Sequence, residues 1–209
     1  PLAAGLDIRF ETEAATIAPD GAAVVVGTVS GARLRAEGVL VSAPAPQTLR
    51  LCAAVPPIAR AAAEARMAPC WTLMAAFDAP LDAPDVIEAS EEGRLRLAIR
   101  QGARPGRAPA PERWVAHAAP EWSRAHLERR SEEVLPDLLS AFAAVTGDDR
   151  PARWAAAHRW RHARVEAPVG APTVAGPRVA AAGDWLLGPE AGDACASGLA
   201  AAEALIAAL

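Results

Sequence analysis

The chain has 209 residues, 52% of them hydrophobic and 22% charged, and carries a net charge of −4. A chain of this length and balance folds around a sizeable core, which excludes a disordered protein, and its acidic total argues against a nucleic-acid partner. No run of roughly eighteen uninterrupted apolar residues is present, so a membrane-spanning helix is not expected. The three cysteines, Cys52, Cys70 and Cys195, are odd in number and form no C-x-x-C pair. They read as free thiols in a reducing, cytoplasmic setting and not as a disulfide or metal framework.

In chain order, Leu6, Ile8 and Phe10 alternate with Asp7, Arg9 and Glu11, the period of a half-buried strand. Pro19-Asp20-Gly21 then reads as a turn, residues 22–29 as a second strand, Ser30-Gly31 as another turn and residues 33–41 as a third strand. Together they predict an antiparallel meander. The segment 38–47, GVLVSAPAPQ, reads as a buried strand that breaks at Pro44 and Pro46. After Pro56-Pro57 an alanine-rich helix is expected to about Arg66, and then a strand over 70–77, CWTLMAAF, uncharged and read as buried on both faces.

Residues 94–100 alternate, with Leu95, Leu97 and Ile99 expected inward and Arg94, Arg96 and Arg100 outward. A proline- and glycine-rich loop at 102–111 precedes a strand at 114–118. Ser131 with Glu132 and Glu133 opens a helix whose apolar side is Val134, Leu135, Leu138, Leu139, Phe142 and Val145, and Gly147 ends it. In 157–165, AHRWRHARV, one strand face carries His158, Trp160 and His162 and the other Arg159 and Arg161. One of these faces is expected to line a pocket, with Trp160 as an apolar wall and Arg161 greeting an anionic group.

The last thirty-odd residues organise the rest. An apolar strand at 178–182 stops at Gly183-Asp184, a second break falls at Gly188-Pro189, and Gly192-Asp193-Ala194 leads into an alanine-rich C-terminal helix. Asp193 is a good N-cap residue, and Ala194, Ala196, Ser197 and Gly198 keep the first turn small enough for a ligand to approach its N–H groups. Leu199, Ala202, Leu205, Ile206 and Leu209 are expected to pack on a sheet.

Other chemistries find little in the chain. His158 and His162 share a strand face and have arginines beside them, so a metal site is not expected. His117 and His126 are isolated in sequence, no G-x-S-x-G occurs, and Cys195 has no histidine near it. The arginine and tryptophan interleaving at 153–164 could suit single-stranded nucleic acid, but the acidic total opposes it.

The set Gly183-Asp184, Gly188, Gly192-Asp193-Ala194 and Ser197-Gly198-Leu199-Ala200-Ala201 resembles the C-terminal flavin motif of the FAD-dependent amine oxidase superfamily. The stretches MAPCWTLMAAFDAPL, WVAHAAPEWSRAHLE and HRWRHARVEAPVG are similar to the substrate-domain segments of its renalase-like bacterial members. The resemblance implies an α/β protein with α+β character. A Rossmann-like FAD domain with a β-meander, from 1–55 and 170–209, would be interrupted by an antiparallel-sheet substrate domain with helices at 56–169.

It also implies FAD held by Gly183, Asp184, Gly192, Asp193, Ala194, Ser197 and Pro44, with Asp184 on ribityl or ribose hydroxyls and the N–H groups of Asp193 and Ala194 on the flavin C2 carbonyl. Hydride would pass from an amine or a dihydronicotinamide to the flavin, with reoxidation by oxygen. The implied partner is a small-molecule substrate, and a homodimer stays open. The G-x-G-x-x-G turn that grips the ADP half is not in the sequence: Gly21, Gly27 and Gly31 have the wrong spacing. Since the chain opens at Pro1 without a methionine, the expectation is a start in mid-protein. The alternative is a non-catalytic module that binds no FAD and acts through a partner.

Overall fold

The computed structural model describes residues 4–90 and 92–209. Its first sheet is the expected meander: β1 (Ala14–Asp20), β2 (Ala23–Thr28) and β3 (Arg33–Ala36) pair antiparallel in that order. The strand expected over 6–10 does not form. Leu6 and Phe10 stay 67% and 82% exposed, because alternation supplies a face but no paired edge or core to receive it. The first strand comes later, where Ile17 and Val24 are buried across the hairpin.

The expected strand over 33–41 also divides. After Gly38, where a Cβ would stand 2.9 Å from Leu205 Cδ1, the chain leaves the meander as β4 (Val39–Val41). β4 pairs in parallel with β11 (Val179–Ala181), whose other edge carries β10 (Val174–Gly176) antiparallel. Pro46 does not break the chain as expected. It lies in the first turn of α1 (Ala45–Leu51), where a missing N–H costs nothing.

α2 (Pro56–Glu64) buries Ile58, Ala61 and Ala62 in the core that holds Val41, Val55, Val179, Trp185 and Leu186. For that reason the chain divides after Met67 and before Val165, one unit being residues up to Met67 with Val165–Leu209 and the other Ala68–Arg164. Residues 56–67 thus belong with the first core and not with the inserted unit.

The inserted unit is a five-stranded antiparallel-paired sheet in the order β6 (Val86–Glu88), β7 (Leu95–Arg100), β8 (Glu112–Ala118), β5 (Arg66–Phe77), β9 (Trp154–Ala167). One face carries Trp71, Leu73, Ala75, Phe77, Trp114 and Ala116 into a core closed by α4 (Ser131–Thr146). α4 presents Val134, Leu138, Ala141 and Phe142, spaced three and four apart, and Phe142 meets Phe77 at 5.8 Å and Trp114 at 5.5 Å between ring centroids. The helix starts at Ser131 as expected, with Arg130 as its N-cap and the Arg130 N–H donating to Glu133 at 3.1 Å. It ends on Gly147 in the left-handed conformation (φ 72°). α3 (Pro120–Ala125) supplies Ser123, whose Oγ accepts the Trp71 N–H at 3.1 Å.

β5 is not buried on both faces. Its second face, with Cys70 and Met74 half-buried, is the open side of the sheet. The inward set of β7 differs as well. A bulge between Leu95 and Leu97 shifts the register, so Leu95 and Ala98 enter the core while Leu97 and Ile99 turn to the open face. Arg100, expected outward, reaches Glu112 at 3.2 Å, a carboxylate only 4% exposed that also accepts Trp114 Nε1–H at 2.7 Å and the Leu81 N–H at 3.2 Å. The Arg100 guanidinium also donates to the Leu81 and Ala83 carbonyls at 2.9 and 2.6 Å, which offsets part of the cost of burying the pair.

Candidate functional site

In the first unit the candidate cofactor residues gather where two parallel strands end. β4 and β11 run side by side with Val41 opposite Ala181, and the Ala182 N–H donates to the Val41 carbonyl at 2.8 Å. Both then stop, β4 at Ser42-Ala43-Pro44 and β11 at Ala182-Gly183-Asp184. The carboxyl ends of parallel strands are where open α/β sheets place ligands. Trp185, fully buried, ties the two ends by donating Nε1–H to the Ala43 carbonyl at 3.2 Å. Gly183 makes this possible: its φ is 151°, and a Cβ there would sit 2.7 Å from the Trp185 ring.

Asp184 opens a short helix, α5 (Asp184–Leu187), and its Oδ1 accepts the Trp185 N–H at 2.8 Å. The C-terminal helix α6 spans Ala191–Ala207. Asp193 is not its N-cap: Glu190 is, and the Asp193 carboxylate in the third position turns back to accept the Glu190 N–H at 3.1 Å. Gly188 leaves the room for that carboxylate, since a Cβ there would meet Asp193 Oδ2 at 2.6 Å.

The N–H groups of Asp193 and Ala194, expected to face a ligand, both donate to the Glu190 carbonyl, at 3.1 and 3.3 Å. Among the described residues, no backbone acceptor pairs with the N–H groups of Ala191 and Gly192 at this helix end, and a Cβ at Gly192 would meet nothing within 4 Å. Ser197 is buried, and its Oγ accepts the Gly183 N–H at 3.0 Å, so it braces the strand end from within. The packing face of α6 is only partly the expected one: Leu205 packs as expected, but Leu199 and Ile206 do not. Ala201 and Leu205 meet Ala180 and Ala182, whereas Leu199 and Ile206 are 65% and 72% exposed.

These residues fit the ring and ribityl part of a flavin cofactor. A glycine-bordered strand end gives close approach, Asp184 retains an acceptor oxygen for a hydroxyl, and Ala191 and Gly192 offer N–H donors toward an electron-rich oxygen.

In the second unit, the open face of the five-stranded sheet forms a cavity of about 590 Å³ lined by Cys70, Thr72, Met74, Val115, His117, His158, Trp160, His162 and Ala163. Thr72 is the cross-strand partner of His117, and Met74 that of Val115. Trp160 stands in this lining with the His158 ring 4.4 Å away, edge to face. Arg161 does not join it. The alternation of β9 turns Arg161 the other way, where it grips Glu128 with two hydrogen bonds of 2.7 and 2.8 Å. Arg159 on that same side donates to the Leu127 carbonyl at 2.6 Å and stacks over Trp71 at 5.7 Å.

Cys70, Thr72 and His117 were not singled out as site residues in the sequence. The available signal was the polar set Cys70, Thr72 and Met74 alternating with Trp71, Leu73 and Ala75, which register then pairs with His117. His117 Nδ1 lies 3.2 Å from Thr72 Oγ1 and 3.8 Å from Cys70 Sγ. Burial first, and then the nearby Arg96 and Arg104 guanidinium groups, hold the His117 pKa below the ordinary value. Burial likewise pushes the Cys70 thiol up. Both groups are therefore neutral at pH 7. Among the described residues no set of three His, Cys, Asp or Glu side chains is placed to hold a metal ion.

A profile of flavin containing amine oxidoreductases matches residues 2–206. The chain belongs to that family. Solved structures share its fold at low identity. A protein from Exiguobacterium sp. 255-15 assigned as a protoporphyrinogen oxidase superposes with TM-score 0.74 at 16% identity, over 96% of this chain and 48% of its own. A putrescine oxidase bound to putrescine gives TM-score 0.67 at 14% identity, over 97% and 50%. Cyclohexylamine oxidase from Brevibacterium oxydans IH-35A gives 0.61 at 14%, over 92% and 47%. This flavin amine oxidoreductase chain thus spans about half the length of the solved structures it matches.

Proposed function

We propose that the chain supplies the flavin-ring half of the cofactor site and the substrate-recognition unit of an FAD-dependent oxidoreductase, renalase-like in type. It would oxidise an amine or a dihydronicotinamide, with oxygen as the terminal acceptor. The observation that carries this reading is the pairing of the β4 and β11 carboxyl ends at Pro44 and Gly183-Asp184, within a chain of this family. FAD, when bound, accepts the hydride. Asp184 would accept a hydrogen bond from a ribityl hydroxyl, and the N–H groups of Ala191 and Gly192 would stabilise negative charge developing on the ring oxygen. Trp160 and the rest of the cavity lining would orient the substrate body and keep water out. The inserted unit corresponds to the substrate domain, and free thiols suit a cytoplasmic setting.

The sequence contains no G-x-G-x-x-G, which favours a second reading for these 209 residues: a module without FAD that acts through a partner. One titration separates the two. The purified chain is added to FAD and to riboflavin while flavin fluorescence is followed. The expected result is saturable quenching by both, weakened about 10-fold or more by Asp184→Ala, since a hydrogen bond to a charged group is lost. No quenching of either flavin up to millimolar protein would reject the oxidoreductase reading for this chain and leave the module.

A further inference from the structure

The cavity on the open face of the inserted sheet has a definite polarity. Its body is apolar, from Met74, Val115, Trp160 and Ala163. Its volume, about 590 Å³, lies within the range of small-molecule sites, roughly 300–1,000 Å³. No carboxylate is in the lining. By register Glu88 is opposite Leu97 on β7 and hence two strands out from His117 on this face, and it is exposed. The charged groups acting on His117 are both cationic, Arg96 and Arg104.

The hydrogen bonds fix what His117 can offer. Thr72 is 5% exposed and its hydroxyl must donate; His117 Nδ1, 3.2 Å away, is its nearest acceptor, the Cys70 sulfur being 3.7 Å off. The Cys70 thiol has its own acceptor in the Trp71 carbonyl at 3.3 Å. With Nδ1 accepting, a neutral imidazole carries its single proton on Nε2, and among the described residues no protein acceptor pairs with that N–H.

We propose that this cavity binds a small molecule with an apolar body terminating in an acceptor oxygen that takes the His117 Nε2–H, and that it rejects an ammonium group there. That this molecule is a substrate rests on the oxidoreductase reading; the binding itself does not. It sets this chain apart from a diamine site: a diamine such as putrescine would place its second ammonium in a lining that holds no carboxylate. Thr72 is the positioning residue, because its hydroxyl selects the tautomer.

The test is binding to the 209-residue chain without flavin, by isothermal titration or ligand-observed NMR. The probes are 3-phenylpropionate, 3-phenylpropylamine and 1,4-diaminobutane. The expected order is 3-phenylpropionate at least about 10-fold tighter than 3-phenylpropylamine, the worth of one hydrogen bond to a charged group, with no saturable binding of the diamine. His117→Phe should weaken 3-phenylpropionate about 10-fold while leaving 3-phenylpropylamine unchanged, and His117→Gln, which keeps an N–H donor, should restore most of the loss. Trp160→Ala, at a strand position 53% exposed, should weaken both phenyl probes. Equal binding of the amine and the carboxylate, binding of the diamine, or indifference of 3-phenylpropionate to His117→Phe in a folded variant would overturn the proposal. Because no flavin enters the measurement, failure here leaves the flavin titration untouched, and failure there leaves this result standing.

Discussion

At single positions, the strand-end site depends on backbone freedom more than on side-chain chemistry. Gly183 combines φ 151° with no room for a Cβ beside Trp185. Gly183→Ala should therefore lower unfolding stability by about 1–3 kcal/mol in urea titrations, and flavin binding with it, because both strand ends must shift. Cys52 makes a pH prediction. It is fully buried, and burial pushes its thiol from 9.0 up to about 11. Between those values the unfolded chain ionises this thiol and the folded chain does not. Stability from this group is thus intact below pH 9 and falls as pH rises toward 11, by at most about 3 kcal/mol. Cys52→Ala should start lower, for lost packing, yet show a flatter decline over that window. In native thiol titrations exposed Cys195 should react first and Cys52 last.

At the scale of elements, α6 shows how a helix can be placed correctly and rotated wrongly. Its alanine-rich sequence gives little hydrophobic contrast, so the large residues Leu199 and Ile206 suggested the packing face, while the close-packed seam is made by Ser197, Ala201 and Leu205 against alanines. Leu205→Ala should cost about 1–3 kcal/mol and Leu199→Ala less than about 0.5 kcal/mol, measured by chemical unfolding. The same physics separates what was legible from what was not. Long periodic segments with clear ends, such as α4 between Ser131 and Gly147, stood out because burial spacing and the terminating glycine agree. The false strand at 6–10 and the inward face of β7 did not, since pairing partners and the Leu95/Leu97 bulge depend on residues far away in sequence. Of the candidate site, the strand-end position of Gly183 and Asp184 and the open-face position of Trp160 were readable from strand ends and strand parity. The capping role of Asp193, the bracing role of Ser197 and the Thr72–His117 pair each required the register of two elements at once.

Across the whole molecule, two separate hydrophobic cores are joined by β5 and β9, strands that continue through the unit boundaries at Met67 and Arg164. A boundary carried on paired strands resists proteolysis better than a linker. Trypsin under native conditions should cut first at exposed Arg107, in the loop after β7, and should spare Arg66 and Arg164; mass spectrometry of the first fragments checks this. The fold also distributes its six tryptophans unevenly. Trp71, Trp114, Trp122, Trp154 and Trp160 all belong to the inserted unit, leaving Trp185 as the single indole of the other. The residue that ties the two strand ends is consequently the one optical reporter of that unit. Its emission, dry and blue in the folded chain, moves to the red only when the floor of the strand-end site opens, so subtracting the spectrum of Trp185→Phe from that of the native chain isolates the light of the site itself.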